Sequence, residues 1–284
     1  MSMNNIKVNI QYMMPKRLIT RFVGFFAGCK MGKLTTWLIK KFAETYDINI
    51  DEMQGNIEDY KTFNDFFSRP LKKNARPIAK GENNVVFPVD GTISEYGKIY
   101  DNIMMQAKNH YYSAEALLAS ENDAASFKNG DFITIYLSPK DYHRVHIPFG
   151  GKLVKMTYVP GEAFSVNAFN AQNIPELFAK NERVVCIFET KIGKMAVVFV
   201  GATIVRSIAT SWAGIVAPNA WRKISEFDYT EQDINFAKGD EIGKFMMGST
   251  VICLFEKNKF NFDKAVKADY AVKMGTVMGT TAKN

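Results

Sequence analysis

Cysteine and histidine are scarce in this chain of 284 residues, with three of each. Cys29, Cys186 and Cys253 show no paired spacing, which argues against a disulfide framework or a cysteine-rich zinc site. They read as core or surface thiols in a reducing compartment. No uninterrupted run approaches the roughly 20 apolar residues of a transmembrane helix. A charged opening, a continuous apolar core and a small-residue cleavage site do not follow one another, so the N-terminus does not read as a signal peptide. Internal repeats and low-complexity segments are missing too. Acidic residues are nearly absent from the first 46 positions. Lys7, Lys16, Arg17, Arg21, Lys30, Lys33, Lys40 and Lys41 face Glu44 alone, so the whole formal charge of +7 belongs to this segment.

A hydrophobic content of 47% and an aromatic content of 13% suit a packed core, either one sizeable domain or one domain with an appendage. Leu18, Ile19, Phe22, Val23, Phe25 and Phe26 recur at helical spacing, flanked by Arg17 and Arg21, with Lys16 at the other edge. Leu34, Trp37, Leu38 and Phe42 repeat the pattern beyond Gly28 and Gly32. A basic amphipathic helix pair with aromatic anchors fits the interface of an anionic membrane. Packing of the same faces on the protein's own core is the plain alternative. Nucleic acid is not expected, because no stacking motif or charge stripe accompanies the basic residues.

Thr62 reads as the N-cap of a short helix, and Ser113 as the cap of another over 113–120. Leu71 to Asn83 reads as an exposed loop. Strands are expected over 85–87, 132–137, 152–158, 183–189, 194–200 and 203–208, with a last one over 268–274. Such spacing predicts an antiparallel sheet system, not βαβ units. Residues 164–178 interrupt it, as a substrate-facing loop or a helical cover. Asn181-Glu182-Arg183 offers either a phosphate-binding arginine or an exposed turn salt bridge.

Three places could carry chemistry. Lys238-Gly239-Asp240 signals a turn, and Phe245-Met246-Met247-Gly248-Ser249-Thr250 then enters the apolar run Val251 to Phe255. Taken alone, the Gly-Ser-Thr step is a turn or bulge. Asp90 follows Phe87-Pro88-Val89, where an Asp-Gly pair is common turn chemistry. His143 and His146 lie in Asp141-Tyr142-His143-Arg144-Val145-His146 and could pair on a metal, but no third ligand stands at a recognised spacing. His110 reads as a loop or capping residue. A carboxylate, an imidazole and a serine are thus present, and a triad is defined by geometry and not by chain order.

These segments resemble the bacterial phosphatidylserine decarboxylases, membrane-associated proenzymes that cleave themselves and carry a pyruvoyl group. The likeness covers nearly the whole chain. It runs through Tyr60 to Leu71, Pro88-Val89-Asp90-Gly91, Tyr136 to Pro148, Tyr158-Val159-Pro160-Gly161, Asn181 to Val185, Val200 to Thr203 and Gly248-Ser249-Thr250. The family's usual leucine before the last motif is Met247 here, an apolar exchange that touches no catalytic group.

The resemblance implies an α+β fold, with basic amphipathic membrane-surface helices over 1–60 and an antiparallel β-rich catalytic domain over 61–284. It implies that Asp90, His146 and Ser249 form a triad that cuts between Gly248 and Ser249, leaving a long and a short chain. Ser249 would become the pyruvoyl cofactor, which forms a Schiff base with phosphatidylserine and releases carbon dioxide to give phosphatidylethanolamine. His143 would work on the substrate. No metal is implied. The expected setting is the cytoplasmic face of the cell membrane, peripherally bound to anionic phospholipid, and a homodimer is left open. Three rivals remain at this level. They are a soluble pyruvoyl-dependent amino-acid decarboxylase, a serine hydrolase that never cuts itself, and a non-catalytic membrane-binding protein.

Overall fold

A computed structural model describes residues 23–202, 207–217, 223–246 and 249–282. Eight strands lie in the main sheet along one path. They are β1 (Gly91–Lys98), β2 (Asp131–Leu137), β4 (Gly151–Val159), β5 (Arg183–Thr190), β6 (Gly193–Val200), β9 (Ser225–Asp228), β11 (Ser249–Phe255) and β12 (Ala271–Val272). Their order is β9-β4-β5-β6-β11-β2-β1-β12, and a ninth strand, Asn235–Phe236, pairs with β4. A second sheet has the order β8-β7-β10-β3, from β3 (Arg144–His146), β7 (Ile208–Thr210), β8 (Gly214–Ala217) and β10 (Glu241–Phe245). The pairings within both sheets are antiparallel, as the α+β expectation required.

Both faces of the main sheet are covered, which is why β11 reads as a continuous apolar run instead of alternating with polar residues. Val251, Cys253 and Phe255 point into a core shared with Val145, Ile208 and Ile242 of the second sheet. Ile252 and Leu254 point the other way. There they meet the hairpin Ile103–Ala107/His110–Ser113 and the short helices that follow it and span 168–180. Residues 164–178 are therefore a helical cover, with Phe164, Ile174, Leu177 and Phe178 buried in this second core.

Two helices sit beside this body. α1 (Lys33–Tyr46) turns Ile39 and Ala43 inward against Ile48, Met53, Ile57 and Phe66, a cluster drawn from both sides of residue 60. Burying such an aliphatic or aromatic side chain contributes roughly 1.5–3 kcal/mol. The opposite face of α1 leaves Leu34 and Trp37 exposed, next to exposed Phe25 and Phe26 on a helical stretch over 23–27. α2 (Phe63–Phe67) is capped by Thr62, whose hydroxyl accepts from Asp65 N at 3.0 Å, and Ser113 caps Ala114–Leu118 likewise. The N-terminal part is tied to the sheets by Arg144 Nε donating to Ser68 O at 2.9 Å.

Four local expectations change. The last strand is Val277–Thr281, after the two-residue β12, because Lys273 to Thr276 turns the chain. The strand expected over 203–208 begins at Ile208 among the described residues, and 203–206 lie outside them. His110 opens a strand instead of lying in a loop. The segment 71–83 is irregular but not wholly exposed, since Arg76 turns inward.

Candidate active site

Ser249 is the first residue of β11, fully buried and paired with Leu137 at the end of β2. Its Oγ has no hydrogen-bond partner among the described residues. The chain leaves Leu137, turns through 138–142, and reaches His143, whose carbonyl accepts from Phe245 N at 3.0 Å. The loop that carries His143 is thus fastened at both ends next to the approach to Ser249. Gly248 and Met247 lie outside the described residues.

His143 is completely buried, with its ring centroid 4.1 Å from that of Phe67. Nδ1 lies 2.8 Å from Asp141 O, and a carbonyl can only accept, so this nitrogen carries the proton. Burial pushes its pKa down to about 3, against the pull of the Asp141 carbonyl, with Arg69 lowering it further. The ring is therefore neutral, and Nε2 presents a lone pair that no described residue meets.

His146 ends β3. Its Nδ1 donates to Gly239 O at 2.8 Å, and its Nε2 accepts from the Tyr142 hydroxyl at 3.1 Å. Burial lowers its pKa, partly offset by the Gly239 carbonyl and by the charges of Glu241 and Asp90. The same burial raises the pKa of the Tyr142 phenol, keeping it a donor. His146 N also donates to Pro88 O at 2.8 Å, which holds this strand beside the Pro88-Val89-Asp90 step.

Asp90 is buried and placed by tertiary contacts. A side chain at Gly91 would run into Tyr136 O, so glycine is required where the chain crosses β2. The Asp90 carboxylate accepts from Met274 N at 2.8 Å, from Arg76 Nε at 2.9 and 3.0 Å, and from Arg76 Nη2 at 2.5 Å. Arg76 Nη2 also reaches Glu52 at 2.7 Å. Desolvation works against the Arg76 charge, but the bonds to Asp90 and Glu52 outweigh it and raise its pKa. No hydrogen bond joins Asp90 to His146 among the described residues. The fold gathers Asp90 and His146 into one corner, while the direct bonds of a triad are not formed.

Sequence reading missed two arginines of this corner. Arg76 and the buried Arg69 line a cleft of about 320 Å³ together with Asp90, Asp141 and Tyr142. The available signal was a pair of Arg-Pro steps, Arg69-Pro70 and Arg76-Pro77, in a stretch otherwise rich in lysine. Proline holds the residue before it extended, which fixes where the arginine points. Arg183, by contrast, neither binds phosphate nor sits in an exposed turn. It is buried, and its guanidinium donates to the carbonyls of Leu117, Ala116, Ala179 and Asn181. Burial lowers its pKa to about 10. A larger cavity, about 830 Å³, lies around Gly151, Glu189 and Lys259 and contains none of these residues. Among the described residues no three His, Cys, Asp or Glu side chains form a metal-binding group.

Comparison with known proteins agrees with the resemblance. A family model described as phosphatidylserine decarboxylase matches residues 63–280, and one described as PSD matches residues 6–47. The phosphatidylserine decarboxylase proenzyme of Shewanella amazonensis is 52% identical over 279 residues, 96% of this chain and 97% of that protein. Those of Haemophilus influenzae and Psychromonas ingrahamii are 47% and 46% identical, with 95% or more of each chain covered. With a family model over residues 63–280 and relatives similar along the whole length, the chain belongs to the phosphatidylserine decarboxylase family.

Proposed function

We propose that this enzyme converts phosphatidylserine to phosphatidylethanolamine with a pyruvoyl group made from its own Ser249. The observation that carries the reading is the buried hydroxyl of Ser249 at the head of β11, which has no partner among the described residues. A hydroxyl held there without a partner costs stability, of order 1–3 kcal/mol, and a reactive role explains its retention. The site fits the group on the same ground, since no described side chain already claims the position.

In maturation, Ser249 Oγ attacks the carbonyl carbon of Gly248 and the peptide bond becomes an ester. His146 Nε2 takes the serine proton once it exchanges the Tyr142 hydroxyl for that of Ser249. Gly239 O fixes the tautomer that leaves Nε2 free to accept. Asp90 favours the resulting imidazolium through its charge. Elimination then releases the Gly248 carboxylate, with Oγ, as the end of the long chain, and hydrolysis of the imine left at residue 249 takes up water and releases ammonia to give the pyruvoyl head of the short chain. In turnover, a pyruvoyl carbonyl supplies an electron sink as carbon dioxide leaves the substrate. His143, neutral and with Nε2 open, can take and return a proton at the reacting carbon.

A second division of roles has its own observation. Ser249 Oγ and His143 Nε2 are among the open atoms of the site, a donor and an acceptor, so His143 could be the base in cleavage. Intact masses of the His143→Ala and His146→Ala proteins decide. We expect His146→Ala to stay uncut and His143→Ala to mature, and the reverse result would exchange their roles.

The N-terminal 60 residues are proposed as the membrane-association segment, with the catalytic domain over 61–284. No described helix is long and apolar enough to cross a membrane. The exposed Phe25, Phe26, Leu34 and Trp37, with Lys33, Lys40 and Lys41 beside them, fit an interfacial surface on the cytoplasmic face.

A further inference from the structure

Arg69 is a buried cation that no carboxylate bonds among the described residues, although Asp90 and Asp141 lie close enough to favour its charge. Its Nη2 donates to Lys140 O at 3.1 Å, and its guanidinium carbon lies 5.2 Å from the centre of the Phe66 ring. Nε and Nη1 are buried and meet no acceptor among the described residues. The neighbouring carboxylates are occupied. Asp90 and Glu52 accept from Arg76, and Asp141 accepts from Ser138 N and Oγ at 2.7 and 2.6 Å. Desolvation lowers the Arg69 pKa, the sign of a charge whose surroundings do not pay for its burial. An unsatisfied buried donor in a folded protein calls for an explanation, and a bound anion supplies one.

The cleft that Arg69 lines is bounded by segments of different character. Asp47 and Asn49 belong to the chain just after α1, the helix that exposes Leu34 and Trp37. Ser138 and Tyr142 belong to the loop that begins one residue after Leu137, the partner of Ser249. Lys140 and Lys273 join Arg69 and Arg76 in a lining that also holds Asp47, Glu52, Asp90 and Asp141, so cations and carboxylates are equal in number there. A lipid whose amine reaches residue 249 while its acyl chains stay near α1 must carry its phosphate between the two.

We infer that Arg69 receives the phosphodiester anion of the substrate's headgroup in this cleft, an assignment that rests on the proposed reaction. Arg69 is then a binding residue that sets where the serine end lies, and it takes no part in cutting the chain.

The test uses the full-length protein as Arg69→Met and Arg69→Lys. Cleavage is read by intact mass, folding by Tm, and turnover with a short-chain phosphatidylserine. Glycerophosphoserine, inorganic phosphate and free serine serve as competitors. We expect Arg69→Met to mature fully with an undiminished Tm. Its KM and its inhibition constant for glycerophosphoserine should each rise at least about tenfold, the scale of one lost charge-assisted hydrogen bond, with kcat within about threefold. Arg69→Lys should fall between the two. Mature Arg69→Met with an unchanged KM overturns the inference, and a lowered Tm with an unchanged KM makes Arg69 a structural residue. Inorganic phosphate competing as well as glycerophosphoserine would overturn the headgroup as the source. Loss of competition by serine alone would assign Arg69 to the carboxylate instead. Should Arg69→Met fail to mature, Arg69→Lys decides in the same assay, a raised KM supporting the inference and a wild-type KM overturning it. If the wild type turns over no phosphatidylserine, the proposed reaction falls. Calorimetry of glycerophosphoserine on Ser249→Ala with and without Arg69→Met still reads the anion site.

Discussion

Arg69 and Arg183 are equally buried, each 3% exposed, yet they stand in regions of opposite character. Around Arg183 the guanidinium and the amide side chains are spent, although the buried Tyr112 hydroxyl beside it has no partner among the described residues. Its guanidinium caps four carbonyls, Asn181 bonds Phe164 and Gly201, and Gln106 bonds Ala171, Ile174 and Leu177. Around Arg69 they are held in reserve. Arg69 Nε and Nη1, His143 Nε2 and Ser249 Oγ are all buried and unpartnered among the described residues. Burial alone therefore does not tell a structural polar group from a functional one. What separates them is whether the fold itself supplies the partner, and this protein does so on one side and withholds it on the other.

The sharpest way to break the comparison is Ser249→Ala. It should remove both self-cleavage and decarboxylation, because the same residue is the nucleophile and the precursor of the pyruvoyl group, and its intact mass should equal that of the uncut chain. A cleaved Ser249→Ala protein would show that the open hydroxyl is incidental. His143→Ala comes next. It should mature into two chains and turn over phosphatidylserine about 10²–10⁴ times more slowly, with the mature fraction measured in the same sample.

Arg183→Met probes the spent side. It leaves four carbonyls, two of them in fully buried bonds, without their donor and should cost about 3–5 kcal/mol in denaturant unfolding. Arg69→Met, with few bonds to lose, should stay within about 1 kcal/mol of wild type. Equal losses would erase the distinction.

A smaller effect is set by pH. The folded pKa of His143 is depressed to about 3, below the unfolded value, so the unfolded chain binds the proton more readily. Its contribution to stability is full above about pH 6.5 and is lost as pH falls from there toward 3. The wild type should accordingly lose stability faster than His143→Gln over that window, by at most about 1.4 kcal/mol per pH unit, read from paired urea titrations. Parallel curves would mean that the ring is hydrated. The smallest expected change lies at the periphery. Polar replacements of Phe25, Phe26, Leu34 and Trp37 should leave cleavage and fold intact while releasing the protein from anionic vesicles, measured by co-sedimentation.

Much of the fold was legible in the sequence because its signals are local. The Thr62 and Ser113 caps depend on side chains three residues from the amides they serve. Period-two and continuous apolar runs located the strands over 132–137, 152–158, 183–189 and 194–200 to within a residue or two. The last strand and the inward turn of Arg76 were not legible, since each depends on partners far along the chain. Val277–Thr281 is a strand because Asn84–Val86 and Phe260–Phe262 pair with it.

The sequence by itself determined the antiparallel α+β architecture, the basic charge of the N-terminal segment and the family to which the chain belongs. It did so because amphipathic period, capping and motif spacing are written in neighbouring positions. The tertiary structure decided which of the polar atoms have partners. Arg76 takes the Asp90 carboxylate from 14 positions away, Gly239 fixes the His146 tautomer from 93, and Arg183 closes on carbonyls up to 67 distant. Whether a buried donor is spent or open is a property of packed neighbours, and no stretch of chain contains its own.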